Sequence, residues 1–354
     1  MTRSKLIEFH KEGIYCPEAD IFIDPWKPQK KAIITHAHAD HARWGMQSYL
    51  AHKDSEEVLR LRLGQDIQLE TLPYNEIRSI NGVNFSLHPA GHIYGSAQVR
   101  VEHKGEVWVI SGDYKTEDDG FCTPFEPVKC DHFVTESTFG MPVYQWESQK
   151  VVFDEINAWW RKNQTEGKNT VLFGYSLGKA QRIIDNLDLT IGEVFLHGAI
   201  RNTNEALIKN GAPLPQLELA DNSIDKSRYK GCMIIAPPSA GNSTWMRKFL
   251  PYATGVCSGW MMVRGAKRRR AADRGFVLSD HADWNGLNEA VAATGAENIY
   301  VTHGYTAVYS RWLGEQGLNA REVQTLYEGE SLDNKTEEKE VRSASAPSDT
   351  TQPA

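Results

Sequence analysis

Short apolar runs separated by turns fill the first 137 or so residues, whereas from about 148 onward apolar runs alternate with amphipathic stretches. The early runs, at 22–24, 32–35, 83–88, 97–102, 106–111 and 133–136, have the length and content of strands. Positions 98–103 and 106–110, joined by Lys104-Gly105, predict a hairpin. The later rhythm predicts a helix over 149–163, a strand over 170–173, a helix over 179–187 and a strand over 193–196. A helix over 203–210, a strand over 232–236 and a helix over 243–250 continue it. Alternation of this kind implies a parallel sheet flanked by helices. Beyond a basic stretch come a strand over 276–279, a helix over 284–293, a strand over 298–302 and a helix over 307–316. Histidine appears at once after two of those strands, as Asp280-His281 and His303-Gly304. The fold class is therefore α/β, with one catalytic domain interrupted by an inserted α/β domain. The expected bounds are 1–145, an insert over 146–272, a completing part over 273–330 and a disordered tail over 331–354.

Composition narrows the class. Of 354 residues, 40% are hydrophobic and 24% charged, ordinary for a soluble globular enzyme. Cys16, Cys122, Cys130, Cys232 and Cys257 are scattered without a CxxC pair, which reads as reduced thiols. The N-terminus leads into polar sequence without a secretory h-region, and no apolar run has bilayer-spanning length. These features predict a cytoplasmic protein without a membrane partner. The net charge of −7 is unevenly spread, since from Glu328 onward seven acidic residues face three basic ones. Conversely, Lys267, Arg268, Arg269 and Arg270 form a basic run near Arg247, Lys248, Arg264 and Arg274. Arg268, Arg269 and Arg270 are suited to tracking a nucleic-acid backbone.

The chemistry concentrates in His36-Ala37-His38-Ala39-Asp40-His41, which holds three of the chain's 12 histidines directly after the run ending at Thr35. Alternate side chains of an extended segment point the same way, so His36 and His38 can grip one ion. As the chain turns, Asp40 and His41 reach a second position. Imidazole and carboxylate together suit zinc, manganese or iron. The ligands that would close two sites are expected at other strand ends, namely His92, Asp113 and His303. Asp113 has two oxygens and can bridge two cations.

With Asp24, this constellation resembles the metallo-β-lactamase superfamily. The resemblance implies an αββα sandwich holding two divalent metal ions, zinc first, with manganese or iron as alternatives. One ion would take His36, His38 and His92, and the other Asp40, His41 and His303. Asp113 would bridge, and Asp24 would orient ligands from behind. Thr135 to Gly140, Ser279 to Asp283 and Thr302-His303-Gly304 further resemble the additional motifs of the β-CASP nucleases, whose α/β domain is inserted where this chain changes rhythm. The most similar group is the bacterial DNA ligase-associated exonucleases, and the likeness covers residues 5 to 327. It implies a metal-dependent DNA exonuclease in DNA repair, with a DNA ligase and other repair proteins as partners. RNA processing is the alternative, although the insert is shorter than in the eukaryotic 3′-end endonuclease. A small-ester metallohydrolase stands further off.

Within this reading Asp40 and Asp113 fix the attacking water, His281 is the general acid, and Glu136 accepts a hydrogen bond from its other nitrogen. Ser176 and Lys179, at the opening of a helix, are candidates for holding phosphate. A rival lies in Gly174-Tyr175-Ser176-Leu177-Gly178, which has the context of a serine-hydrolase nucleophile with Asp280 and His303 as partners. That rival leaves the histidine run unexplained.

Overall fold

The computed structural model describes residues 5–263 and 272–327. Arg268, Arg269, Arg270 and the tail over 331–354 lie outside them. Among the described residues the architecture is mixed α/β, built on three sheets. The first has six strands in chain order: Glu8–His10, Gly13–Cys16, Ile21–Ile23, Lys31–Ile33, Ser48–His52 and Leu69–Leu72. The second runs in space as Asn319–Glu322, Asn298–Gly304, His132–Ser137, Glu106–Ile110, Ala97–His103, Val83–Pro89 and Ile77–Ile80. Late strands thus lie beside early ones, with His132–Ser137 pairing parallel to Asn298–Gly304. The predicted hairpin is present, and Lys104 and Gly105 both take positive φ, as a tight two-residue turn demands.

The third sheet orders Glu218–Leu219, Val194–Leu196, Met233–Ala236, Asn169–Phe173, Tyr252–Cys257 and Arg274–Phe276, all parallel. Its two central strands, Met233–Ala236 and Asn169–Phe173, are buried along their whole length, as sheets covered on both faces require. One hydrophobic cluster joins the first two sheets through Ile14, Ile23 and Leu50 on one side and Phe85, Val99 and Ile110 on the other. A second cluster packs the far face of the second sheet against the helices Trp284–Thr294 and Thr306–Glu315. A third joins the far face of the first sheet, through the helix Glu56–Leu63, to the third sheet's helices Gln149–Thr165, Lys179–Asn186 and Gly198–Lys209.

Three elements depart from the sequence reading. The segment expected as a helix over 243–250 is a 3-10 turn, Thr244–Phe249. Leu250 precedes Pro251, which disfavours helical backbone there and leaves too few residues for an α-helix. The helix expected over 203–210 begins earlier, at Gly198, because the His197 side chain caps it by accepting from the Ala199 amide. The strand expected over 276–279 is Arg274–Phe276 and belongs to the third sheet, which therefore continues past residue 272. Residues 277–279 lie beyond the strand, and the carbonyls of Ser279 and Asp280 accept from Arg182 and His92.

Candidate metal centre

After the strand Lys31–Ile33 the chain turns tightly, with the amides of His41 and Ala42 both donating to the His38 carbonyl. His36, His38, His92 and Asp113 then offer ligand atoms that all lie within 4.8 Å of one another, and His41, Asp113 and His303 form a second such group. Asp113 belongs to both. Asp40 stands at the edge of the second, its Oδ2 3.8 Å from His41 Nε2.

Four of the rings, His36, His38, His41 and His92, are aimed by a bond at the far nitrogen. Asp24 accepts from the Thr35 amide (2.8 Å), the Thr35 hydroxyl (2.5 Å) and His41 Nδ1 (2.7 Å). The single hydroxyl proton of Thr35 goes to that carboxylate, so its oxygen accepts from His36 Nδ1 at 3.0 Å. Gly112 makes room for this relay, since a Cβ there would sit 2.6 Å from Thr35 Oγ1. His92 Nδ1 donates to the Asp280 carbonyl (2.7 Å) and His38 Nε2 to the Leu177 carbonyl (3.1 Å). With both rings neutral, His92 Nε2 and His38 Nδ1 are both acceptors, yet they stand 3.0 Å apart.

Two facing lone pairs repel unless a cation lies within reach of both. Nε2 of His36 and of His41 are likewise buried, with no hydrogen-bond partner among the described residues. Ligand atoms bound at about 2.1 Å to one tetrahedral ion stand roughly 3.4 Å apart. Asp113 Oδ2 is 3.6 Å from His36 Nε2, 3.6 Å from His41 Nε2 and 3.9 Å from His92 Nε2, too long for hydrogen bonds and near that spacing. A donor set of imidazoles and carboxylates without thiolate fits zinc, manganese or iron.

Electrostatics divide the cage. Burial, reinforced by neighbouring histidines, pushes His36 and His92 far below the usual imidazole range, so both remain neutral. Burial opposes charge on His41 too, but Asp113, Asp40 and Asp24 overcome it and push that ring up to about 10. For His303, burial is again outweighed by Asp113. Against its own burial, Asp113 is held well below the usual carboxylate range, by His303 first and then His41.

Glu136, at the end of the strand His132–Ser137, accepts from the Tyr114 amide at 2.8 Å and from His281 Nδ1 at 3.0 and 2.9 Å. Asp113, Glu136 and His281 also offer atoms within 4.8 Å of one another. Trp146 donates its indole N–H to the His281 carbonyl (3.0 Å) and Phe139 stands 6.0 Å from the His281 ring, so aromatic side chains wall this part of the site.

Ser176 and Lys179 sit elsewhere than a surface contact would need. Both are buried, and Lys179 Nζ lies 3.6 Å from Asp280 Oδ2 and 5.0 Å from the centre of the Tyr175 ring. The first turn of the helix Lys179–Asn186 faces inward because it packs against the loop carrying Asp280. Asp280 is engaged by Lys179 and Arg182 and His303 by Asp113, so both partners of a Ser176 nucleophile are committed to other groups. Among the cations flanking the basic run, Arg274 pairs with Glu155, and Lys248 donates to the Ala220 carbonyl.

Sequence reasoning passed over four contributors. The Thr35 hydroxyl had a faint signal, its position between a strand and the first histidine. The carbonyls of Leu177 and Asp280 had none. Tyr327 stacks on the His41 ring at 4.2 Å and 10° and donates its hydroxyl to the Asp24 carbonyl, across 303 residues of chain.

No family model matches the chain. Over 311 residues, 87% of its length, it is 30% identical to a protein named Probable DNA ligase from Opitutus terrae, of which it covers 30%. It is 26% identical over 176 residues to Cleavage and polyadenylation specificity factor 73 of Drosophila melanogaster, covering 46% of this chain and 25% of that one. To Endoribonuclease YSH1 of Yarrowia lipolytica it is 30% identical over 125 residues, 34% of this chain and 15% of that one. The chain thus spans less than a third of each of these relatives. Among solved structures, a protein of unknown function from Enterococcus faecalis matches with a TM-score of 0.54 over 77% of this chain and 74% of that one, at 10% identity. That likeness is one of fold.

Proposed function

The chain belongs to the β-CASP branch of the metallo-β-lactamase superfamily, near its bacterial ligase-associated group, and on that premise we propose that it is a binuclear metal-dependent phosphodiesterase acting on DNA as a repair exonuclease. The reading takes the first two sheets and their helices as the αββα sandwich, and the third sheet as the inserted domain. His36, His38 and His92 would hold one ion, Asp40, His41 and His303 would hold the other, and Asp113 would serve both. Zinc is the first choice of metal. What carries the reading is the convergence on Asp113 of imidazoles, four of which, His36, His38, His41 and His92, are bonded at their far nitrogens, with His92 Nε2 and His38 Nδ1 left 3.0 Å apart.

When bound, the two ions supply Lewis-acid activation of a water and offset the charge that gathers on the phosphate. The chain's own groups do the rest. Asp113 and Asp40 accept hydrogen bonds from the attacking water. His281 delivers a proton from Nε2 to the leaving oxygen. Glu136, receiving Nδ1–H, stabilises the charged form of that ring. Phe139 and Trp146 limit the access of bulk water to His281.

The relative named for a DNA ligase, matched along most of this chain, supports DNA as substrate and a ligase as partner. The relatives named cleavage factor and endoribonuclease support a second reading, cleavage of RNA. No described helix is long and apolar enough to cross a membrane, and scattered buried cysteines support a cytoplasmic location. End-labelled single- and double-stranded DNA and RNA, incubated with zinc, manganese or iron and resolved by length, test all of this. The expected result is metal-dependent shortening of DNA from an end, abolished by chelation and restored by metal. Cleavage of RNA alone selects the second reading, and no metal-dependent cleavage of either polymer refutes both.

A further inference from the structure

We infer that Arg182 is a positioning residue of the metal centre, through which the inserted α/β segment sets the direction of His92 and the place of His281. The inference rests on the metal-dependent reading above and adds a component to it.

Arg182 lies on the helix Lys179–Asn186 and is 2% exposed. Its Nη1 donates to the Ser279 carbonyl at 2.5 Å, its Nη2 to Glu117 Oε2 at 2.8 Å and its Nε to Gln149 Oε1 at 3.0 Å. Nη1 is also 3.8 Å from Asp280 Oδ1. One rigid guanidinium fork therefore ties three separate segments, a geometry that a lysine ammonium cannot reproduce.

The residues that follow Ser279 do two jobs at once. The Asp280 carbonyl receives His92 Nδ1 at 2.7 Å, which leaves His92 Nε2 as the ligand atom. The His281 ring hydrogen-bonds Glu136. Both depend on where the 279–281 backbone lies; past the strand end at Phe276 it has no sheet neighbour among the described residues, and is held by Arg182 at the Ser279 carbonyl and by Trp146 at that of His281. The loop leading into the Arg182 helix contributes again, because the Leu177 carbonyl aims His38. Gly178, at φ +94°, packs so closely that a Cβ would come within 2.5 Å of Ile93, the residue after His92. Two of the three imidazoles in the His36, His38 and His92 group thus take their direction from carbonyls under the control of the inserted segment.

Stability alone does not account for such a residue. A buried ion pair contributes little over apolar packing of similar volume. What the guanidinium adds is the fixed position of a carbonyl and of the two functional groups beside it.

The test is Arg182→Lys, which keeps the charge opposite Asp280 and loses the fork. Metal-free protein is reconstituted with cobalt. The readouts are its visible absorption spectrum, the ions bound per chain, kcat and KM on labelled DNA, and the melting temperature without metal. The expected result is a changed cobalt spectrum, a loss of affinity for one ion by about 10- to 100-fold, and a fall in kcat with KM for DNA little changed. Should Arg182→Lys fail to fold, Glu117→Gln weakens a single arm of the fork, and a smaller change in the same direction is expected. A wild-type cobalt spectrum and ion affinity in the folded variant, with only the melting temperature lowered, would overturn the inference. Because the spectrum needs no nucleic acid, it decides the matter even where the wild-type protein cuts neither DNA nor RNA.

Discussion

Replacing Thr35 with valine keeps the shape of the side chain and removes one hydroxyl, the atom that couples Asp24 to His36. Two hydrogen bonds disappear, at 2.5 Å to the Asp24 carboxylate and 3.0 Å to His36 Nδ1. Asp24 is not stranded, for it retains the Thr35 amide at 2.8 Å and His41 Nδ1 at 2.7 Å. His36 fares worse, because its Nδ1–H then faces a methyl group, at about 1–3 kcal/mol for a buried unpaired donor. The ring escapes that cost by moving its proton to Nε2, which is the atom that points at Asp113. A protonated Nε2 cannot bind a cation. The loss expected for the ion of the His36 group is therefore 10- to 100-fold, the usual effect of removing a bond that aims a ligand, or roughly 1.4–2.7 kcal/mol. His41 still leans on Asp24, so the other ion is held nearly as before. Titration of the metal-free variant against a chromophoric chelator separates the two constants, and Thr35→Ser serves as the control that keeps the hydroxyl. Two constants within twofold of wild type in Thr35→Val would refute the relay.

His281→Ala is expected to slow cleavage by about 10²- to 10⁴-fold with two ions still bound by elemental analysis, and loss of an ion would recast His281 as a ligand. Changing Arg268, Arg269 and Arg270 to alanine should weaken DNA binding and lower the slope of log affinity against log salt by up to about 2.7, whereas an unaltered slope removes the run from the interface. Asp119, which accepts from Lys115 Nζ at 2.6 Å, has its carboxyl drawn below the usual range by Lys115 in spite of burial. Its stabilisation is fully present above the unfolded carboxylate value of about 3.9 and is lost as pH falls through the lower folded one. Asp119→Asn should accordingly cost about 3–5 kcal/mol at pH 7, as breaking a buried pair does, with the gap to wild type narrowing only in acid below about pH 4. Denaturant melts at pH 7 and in acid check this, and a gap that ignores pH would show that the pair is not ionic.

The change of rhythm near residue 148 and the histidine run after Thr35 were readable because periodicity and ligand chemistry reside in residue types. So was the idea that late histidines rejoin early ones, and the parallel pairing of His132–Ser137 with Asn298–Gly304 is how the chain does it. Strands such as Glu8–His10, Ile77–Ile80 and Asn319–Glu322 left no comparable trace. They are three or four residues long, partly exposed, and exist because a neighbour offers them a ladder. Lys179 read as a candidate for holding phosphate and is buried against Asp280, since composition does not reveal which face of a helix meets another segment.

Residue types were enough to show which side chains are chemically able to grip divalent ions, and which superfamily the chain resembles. Which nitrogen does so was set in folding, because for His38 and His92 that choice belongs to partners 139 and 188 residues away. Those partners are backbone carbonyls. Every residue type carries one, so no pattern of residues can announce where it will be placed.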